Sequence, residues 1–324
     1  MAETMRALVK TAKGAGHVGL REVPVPETER DEILMEVKFA GICGSDLHIE
    51  TGVHDHYPPV IMGHEYSGVV GRLGSDVTGL QVGQPICYHH GPSPFPGYRR
   101  DGCFARYLKL KADTVMPLPE GISLEEATQF ETVRPAIAVV RDGARMKPGE
   151  HLVISGPGPV GLLALQVAKA DGAGKVTVIG AERDAKLRLP TAKELGADEV
   201  LQFEEGLAEQ FAGENAPHNW CECSGAPGAL KLAVDCVRYG GRVVESGISA
   251  GPWDVDFRRL ARCNLTIRGM WGGSEDYVFT GIDMIRAGTL SITRIITHVM
   301  PLAEWEEAFR MLRGGEAIKI LLVP

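Results

Sequence analysis

Within six residues, Cys43-Gly44-Ser45-Asp46-Leu47-His48, the chain carries a thiol, a hydroxyl, a carboxylate and an imidazole, and Gly63-His64-Glu65 follows shortly downstream. Together the two stretches offer sulfur, nitrogen and oxygen donors of the kind that hold a catalytic zinc. Taken singly, each residue has a plainer reading, since a lone cysteine is usually a small buried hydrophobe and a lone histidine usually makes an ordinary hydrogen bond. In combination the metal reading prevails. The seven cysteines, Cys43, Cys87, Cys103, Cys221, Cys223, Cys236 and Cys263, form an odd and irregularly spaced set. That suits reduced thiols with one or two liganding roles better than a disulfide framework.

Two kinds of scaffold are expected around these groups. Residues 1 to 130 are rich in glycine and proline, with short alternating runs such as Ile33 to Val37 and Tyr66 to Val70, which predicts a mostly β domain with long loops. The prolines between His89 and Asp101 predict a loop there. From Glu150 the texture changes. His151-Leu152-Val153-Ile154 reads as a strand that runs into Ser155-Gly156-Pro157-Gly158-Pro159-Val160-Gly161, followed by helical composition to Ala170 and a second strand at Lys175 to Ile179. Gly156, Gly158 and Gly161 match G-x-G-x-x-G in the strand–turn–helix setting that binds the pyrophosphate of a dinucleotide, with Pro159 and Val160 in the same loop. Further alternation follows, with a helix at Arg183 to Leu195, a strand at Asn219 to Glu222, a helix at Gly228 to Val237 and a strand at Arg242 to Glu245. This pattern predicts a doubly wound parallel sheet. Trp305, Phe309 and Leu312 fall at helical spacing, and Ala317 to Val323 reads as a last strand.

Where an acidic residue would meet the adenosine ribose at the end of the second strand, the chain has Gly180, then Ala181-Glu182-Arg183. A missing carboxylate removes repulsion against a 2′-phosphate, and Arg183, Lys186 or Arg188 could neutralise one, so NADP is favoured over NAD. In the opposing reading Glu182 reaches the ribose hydroxyls and the basic residues are a solvated helix face.

At 324 residues two domains are expected. A formal charge of -8 without any basic run argues against a nucleic-acid partner. No apolar stretch approaches the roughly 20 residues that span a bilayer, and the start carries no signal-peptide pattern, so a cytoplasmic protein is expected.

Cys43-Gly44-Ser45-Asp46, Gly63-His64-Glu65, the glycine loop and Glu222-Cys223-Ser224-Gly225 occur in an order that resembles the zinc-dependent medium-chain dehydrogenases, most of all the polyol (sorbitol) and L-threonine dehydrogenase branch. The resemblance implies an α/β architecture: a GroES-like mostly-β catalytic domain over 1–134 and 274–324 around a Rossmann dinucleotide-binding domain over 135–273. It implies one catalytic zinc held by Cys43 and His64, with Glu65 as a further ligand or close neighbour and Glu131 able to take the fourth position. Asp46 would orient His64, while Ser45 and His48 would relay a proton, although His48 could instead cap a local turn. The structural-zinc lobe of the relatives is replaced by the region of Cys87, His89, His90 and Cys103, so a structural zinc is not expected. The implied reaction interconverts a secondary alcohol or polyol and its ketone using NAD(P), in a homo-oligomer, dimer or tetramer. L-Threonine 3-dehydrogenase is the alternative within the class. An inactive nucleotide-binding relative and a zinc-free quinone reductase are disfavoured by the intact donor set. Pocket shape would depend on loops 49–57, 89–100 and 271–277, with Trp271 and Tyr277 as candidate lining residues.

Overall fold

The computed structural model describes residues 3–91, 95–249, 251, 252 and 254–324. The chain forms two compact units, one comprising Met1–Glu131, Ile296–Arg313 and Lys319–Pro324, the other Thr132–Ile295 and Gly314–Ile318. Eight strands open the first: β1 (Thr4–Lys10), β2 (Val18–Pro24), β3 (Glu32–Gly41), β4 (Val60–Ile61), β5 (Glu65–Leu73), β6 (Pro85–Tyr88), β7 (Tyr107–Lys111) and β8 (Val115–Pro117). The second unit contributes β9 (His151–Ser155), β10 (Lys175–Gly180), β11 (Glu199–Gln202), β12 (Asn219–Glu222), β13 (Arg242–Glu245) and β14 (Thr266–Gly269). The chain then returns to the first with β15 (Ile296–Pro301) and β16 (Lys319–Val323).

In the first unit β15, β16, β3, β5, β6 and β8 lie side by side in that order, β7 pairs with β3, and β2, β1 and β4 form a separate small sheet. The centre of the larger sheet is apolar: Ile33, Met35 and Val37 of β3, Val70 of β5 and Ile320 to Leu322 of β16 are all buried. Register then decides which polar residues come together. Gly41 on β3 faces Glu65 on β5 and Leu321 on β16, so the chain leaves β3 for Cys43 beside the strand that follows His64.

The second unit is the parallel sheet expected, in the order β11-β10-β9-β12-β13-β14. Its central strands are buried, β9 and β10 largely apolar and β12 bearing Asn219 and Glu222 at its two ends, and the order reverses beside β9, the strand that feeds the glycine loop. The helix expected over Arg183 to Leu195 is shorter: a 3₁₀ turn at Glu182–Asp184 is followed by a helix at Arg188–Glu194. Pro190 is the cause, because its ring displaces the carbonyl four residues back and the helix can start only just ahead of it.

The boundaries also differ from those expected. The helix Phe130–Ala138 carries the chain between the units at Glu131, and the return comes at Ile296 rather than residue 274. Residues 274–295 stay with the parallel sheet because the helix Tyr277–Arg286 buries Val278, Gly281, Ile282 and Met284. Gly281 lies so close to Val133 that an added Cβ would stand 2.4 Å from its Cγ1. The backbone of Ser291 also donates to Gln166 Oε1 at 2.6 Å. The proline-rich loop is irregular where described, with a bridge between Pro96 and Arg100, while Pro92, Ser93 and Pro94 lie outside the described residues.

Candidate functional site

Cys43 caps the helix Gly44–Glu50, and its backbone N–H donates to Asp46 Oδ2 at 2.9 Å. The turn that starts the helix therefore fixes the thiol and the carboxylate together. The other oxygen, Asp46 Oδ1, is buried without a hydrogen-bond partner and lies 3.8 Å from His64 Nδ1, which is likewise buried and unpartnered. His64 reaches this point through Gly63, whose φ of +89° only glycine adopts readily and whose added Cβ would strike the Phe104 ring at 2.4 Å. One donor atom from each of Cys43, His64 and Glu65 lies within 4.8 Å of the others, the one such group of three among the described residues.

The site favours positive charge. Burial disfavours it on His64, but Asp46, Cys43 and Glu131 more than offset that and lift the imidazole to about 10. Thiolate, imidazole and carboxylate at this spacing, with two buried polar atoms unpartnered behind them, fit a zinc ion. Glu131 sits in the first turn of the helix Phe130–Ala138, where a carboxylate is favourable.

Glu65 is held on its far side by a residue the sequence did not single out. Lys319, 1% exposed, places Nζ 2.7 Å from both carboxylate oxygens and donates to the Ile42 carbonyl at 2.9 Å. Gln129 adds a bond to Glu65 Oε2 at 3.1 Å. Gly41 makes room, since its Cβ would fall 2.1 Å from Glu65 Oε2. The available signal was a lysine opening an otherwise apolar strand.

Ser45 is buried and His48 half-buried one helical turn later, neighbours on one helix face. Burial lowers the pKa of His48, which keeps the ring neutral near pH 7. The turn after this helix is closed by the His48 carbonyl, which accepts from Val53 and His54 at 2.9 and 3.1 Å, so the imidazole is not what caps it. His56 Nδ1 bonds the His54 carbonyl at 2.8 Å and orders that loop. Cys103 donates to the Glu65 carbonyl at 3.3 Å, Cys87 is buried against the Met116 carbonyl, and His89 and His90 lie edge to face. Tyr277 donates to Asp142 at 2.9 Å, and Trp271 is exposed.

In the second unit, Gly156, Gly158 and Gly161 divide the work of the loop. Gly156 takes a φ of +96° against Ser224, and Gly161 brings the helix Pro159–Ala170 so close that its Cβ would stand 2.1 Å from the Gly156 carbonyl. Gly158 faces open space, while Pro159 and Val160 form the helix's first turn, where Pro159 withholds no N–H the helix would use. Buried Glu222 ties the loops after β9 and β12 together, accepting from Ser155 Oγ at 3.3 Å, from the amides of Ser224 and Gly225 at 2.8 and 3.0 Å, and from Ser224 Oγ.

Beside the glycines lies a cavity of about 200 Å³ lined in part by Gly158, Gly180, Arg183 and Phe203. An added Cβ at Gly180 would sit 3.0 Å from both Pro157 and Asp184, so a side chain there would require those neighbours to give way slightly. Arg183 is exposed on this cavity. Arg188 lines it as well but turns inward, to Asp184 Oδ1 at 3.1 Å and the Ala317 carbonyl at 2.8 Å.

The model of an alcohol dehydrogenase GroES-like domain matches residues 29–120, and that of a zinc-binding dehydrogenase matches residues 159–287. A sorbitol dehydrogenase of Halalkalibacterium halodurans is 31% identical over 350 residues, covering 99% of each chain. The chain belongs to the zinc-type alcohol dehydrogenase family. It is also similar to an L-threonine 3-dehydrogenase of Bacillus licheniformis, 30% identical and covering 99% of each chain. The crystal structure of 2R,3R-butanediol dehydrogenase from Bacillus subtilis superposes with a TM-score of 0.85 at 25% identity, covering 99% of each chain. Family membership makes this protein an NAD(P)-dependent alcohol or polyol oxidoreductase built from a GroES-like domain and a Rossmann-type parallel sheet. Among the described residues no helix is long and apolar enough to cross a membrane.

Proposed function

We propose that the protein oxidises secondary alcohols and polyols, and reduces their ketones, at a single zinc held by Cys43 and His64, with Glu65 and Glu131 as the remaining carboxylate ligands. The observation that carries this is the convergence of Cys43, His64 and Glu65 within 4.8 Å beside the hydroxyl and imidazole of the next helix. When bound, zinc supplies Lewis acidity towards the substrate oxygen and the nicotinamide supplies or accepts the hydride.

The chain's own groups do the rest. Ser45 Oγ accepts the proton of the substrate hydroxyl, and His48, kept neutral by burial, takes it onward. Asp46 keeps His64 oriented, with Oδ1 on the Nδ1 side of the ring. Lys319 neutralises Glu65 from behind, which limits the negative charge presented to the ion.

NADP is the preferred nucleotide. Gly180 leaves no carboxylate to repel a 2′-phosphate, and Arg183 stands exposed at the same cavity. The seven free thiols support a reduced, cytoplasmic setting. A homo-oligomer, dimer or tetramer, is part of the same reading, and sedimentation would size it.

The test is a panel of polyols, simple secondary alcohols and L-threonine, each with NAD and NADP. Turnover of polyols or secondary alcohols, faster with NADP, supports the reading. Turnover of threonine alone overturns the substrate assignment.

A further inference from the structure

We propose that Tyr98 is a positioning residue for this reaction, whose hydroxyl fixes the Ser45 side chain in the orientation a proton carrier needs. The inference rests on the functional reading above. Tyr98 Oη donates to Ser45 Oγ at 2.8 Å, and among the described residues it is the side chain that holds this buried hydroxyl. A serine on a helix otherwise samples staggered rotamers or bonds back to its own helix.

A serine hydroxyl has two lone pairs and one proton. With one lone pair taken by Tyr98, Ser45 keeps one acceptor site and one donor, which is what a relay requires. In oxidation the substrate O–H proton passes to the open lone pair while the Ser45 proton passes to His48. The C–H bond yields its electron pair as hydride to the nicotinamide, and the carbon becomes a carbonyl. Tyr98 keeps its proton throughout.

The tyrosine is itself immobilised. Its carbonyl accepts from the Tyr57 amide at 2.8 Å. Its ring packs against His64 at 5.1 Å, His54 at 5.0 Å and Phe95 at 5.7 Å between centroids. The preceding Gly97 lies so close to Gly63 that an added Cβ would stand 2.7 Å from its carbonyl oxygen. The Gly97–Tyr98 segment is thus pinned to the segment that delivers His64, and it sets Ser45 and His64 in one register.

The test compares wild type, Tyr98→Phe, Ser45→Ala and the double variant as zinc-loaded proteins, reading kcat and KM for a secondary alcohol, zinc per chain and nucleotide Kd. Tyr98→Phe should lower kcat about tenfold with KM within about twofold, and Ser45→Ala about a hundredfold. Adding Tyr98→Phe to Ser45→Ala should change kcat by less than about twofold, because the group it positions is gone. Zinc content and nucleotide Kd should stay at wild-type values in all four. An equal loss in both backgrounds, no loss in either, or loss of zinc with Tyr98→Phe overturns the proposal. If wild type turns over no alcohol, it is the functional reading that fails, and crystal structures of wild type and Tyr98→Phe then decide the positioning claim. An unchanged Ser45 rotamer overturns it, and a released or mixed rotamer supports it.

Discussion

The Glu65 and Lys319 side chains are an ion pair with almost no access to water, and the cost of breaking such a pair exceeds the gain from having made it. Replacing Lys319 with Met leaves a carboxylate buried among Gln129 and the metal ligands. The variant is expected to lose about 3–5 kcal/mol of stability, read from urea unfolding of metal-free protein, and the Glu65→Gln/Lys319→Met double variant should recover much of it. Cys43→Ser acts differently, because it removes the soft donor without stranding a charge. It should lose zinc and at least about a hundredfold in kcat while the nucleotide Kd, set by the other unit, stays within about twofold. Cys43, His64 and Glu65 stood out in the sequence as candidate donors by type and proximity, and the fold brings them within 4.8 Å of one another. Lys319 and Tyr98 did not stand out, because they reach the site from β16 and from an irregular loop, and only strand register and loop path bring them there.

At the level of elements, the strand–turn–helix setting of the glycine loop was legible, with Gly161 meeting a steric demand inside that unit, Gly156 one set by Ser224 after β12, and Gly158 facing open space. Gly161→Ala places a Cβ 2.1 Å from the Gly156 carbonyl, so the helix must move off the strand. Nucleotide affinity, measured by fluorescence titration with NADPH, should fall at least about tenfold. Arg183→Ala should weaken NADPH about tenfold and NADH less than about twofold, if a charge-assisted bond to the 2′-phosphate is what the arginine supplies; equal weakening of both would contradict the NADP assignment. The neighbouring Arg188 shows the limit of composition. In sequence it is one more cation after β10, but the break before Pro190 turns its guanidinium onto Asp184 and Ala317. The expected Arg183 to Leu195 helix erred for the same reason, with apolar periodicity outvoting a single proline.

For the molecule as a whole, two units were expected from the chain length and the class of each from the change of texture near residue 150. The return point was not, because residues 274–295 look like any amphipathic helix and loop until their packing on Val133 and Gln166 is seen. Global stability should carry a pH signature from Glu245, which burial and then the charge of Glu222 push up to about 9. A carboxyl raised from its ordinary 4.5 stabilises the fold fully below that value and loses the contribution as pH rises towards 9. Wild-type Tm should therefore drop between pH 6 and pH 9 more than that of Glu245→Gln, as scanning calorimetry would show; parallel pH profiles would contradict it. The central claim, that Cys43 and His64 hold the ion on which alcohol oxidation depends, is tested most directly by metal analysis paired with turnover. One zinc per chain, activity lost on chelation and restored by zinc, is the predicted result. Undiminished secondary-alcohol oxidation by zinc-free protein would contradict it.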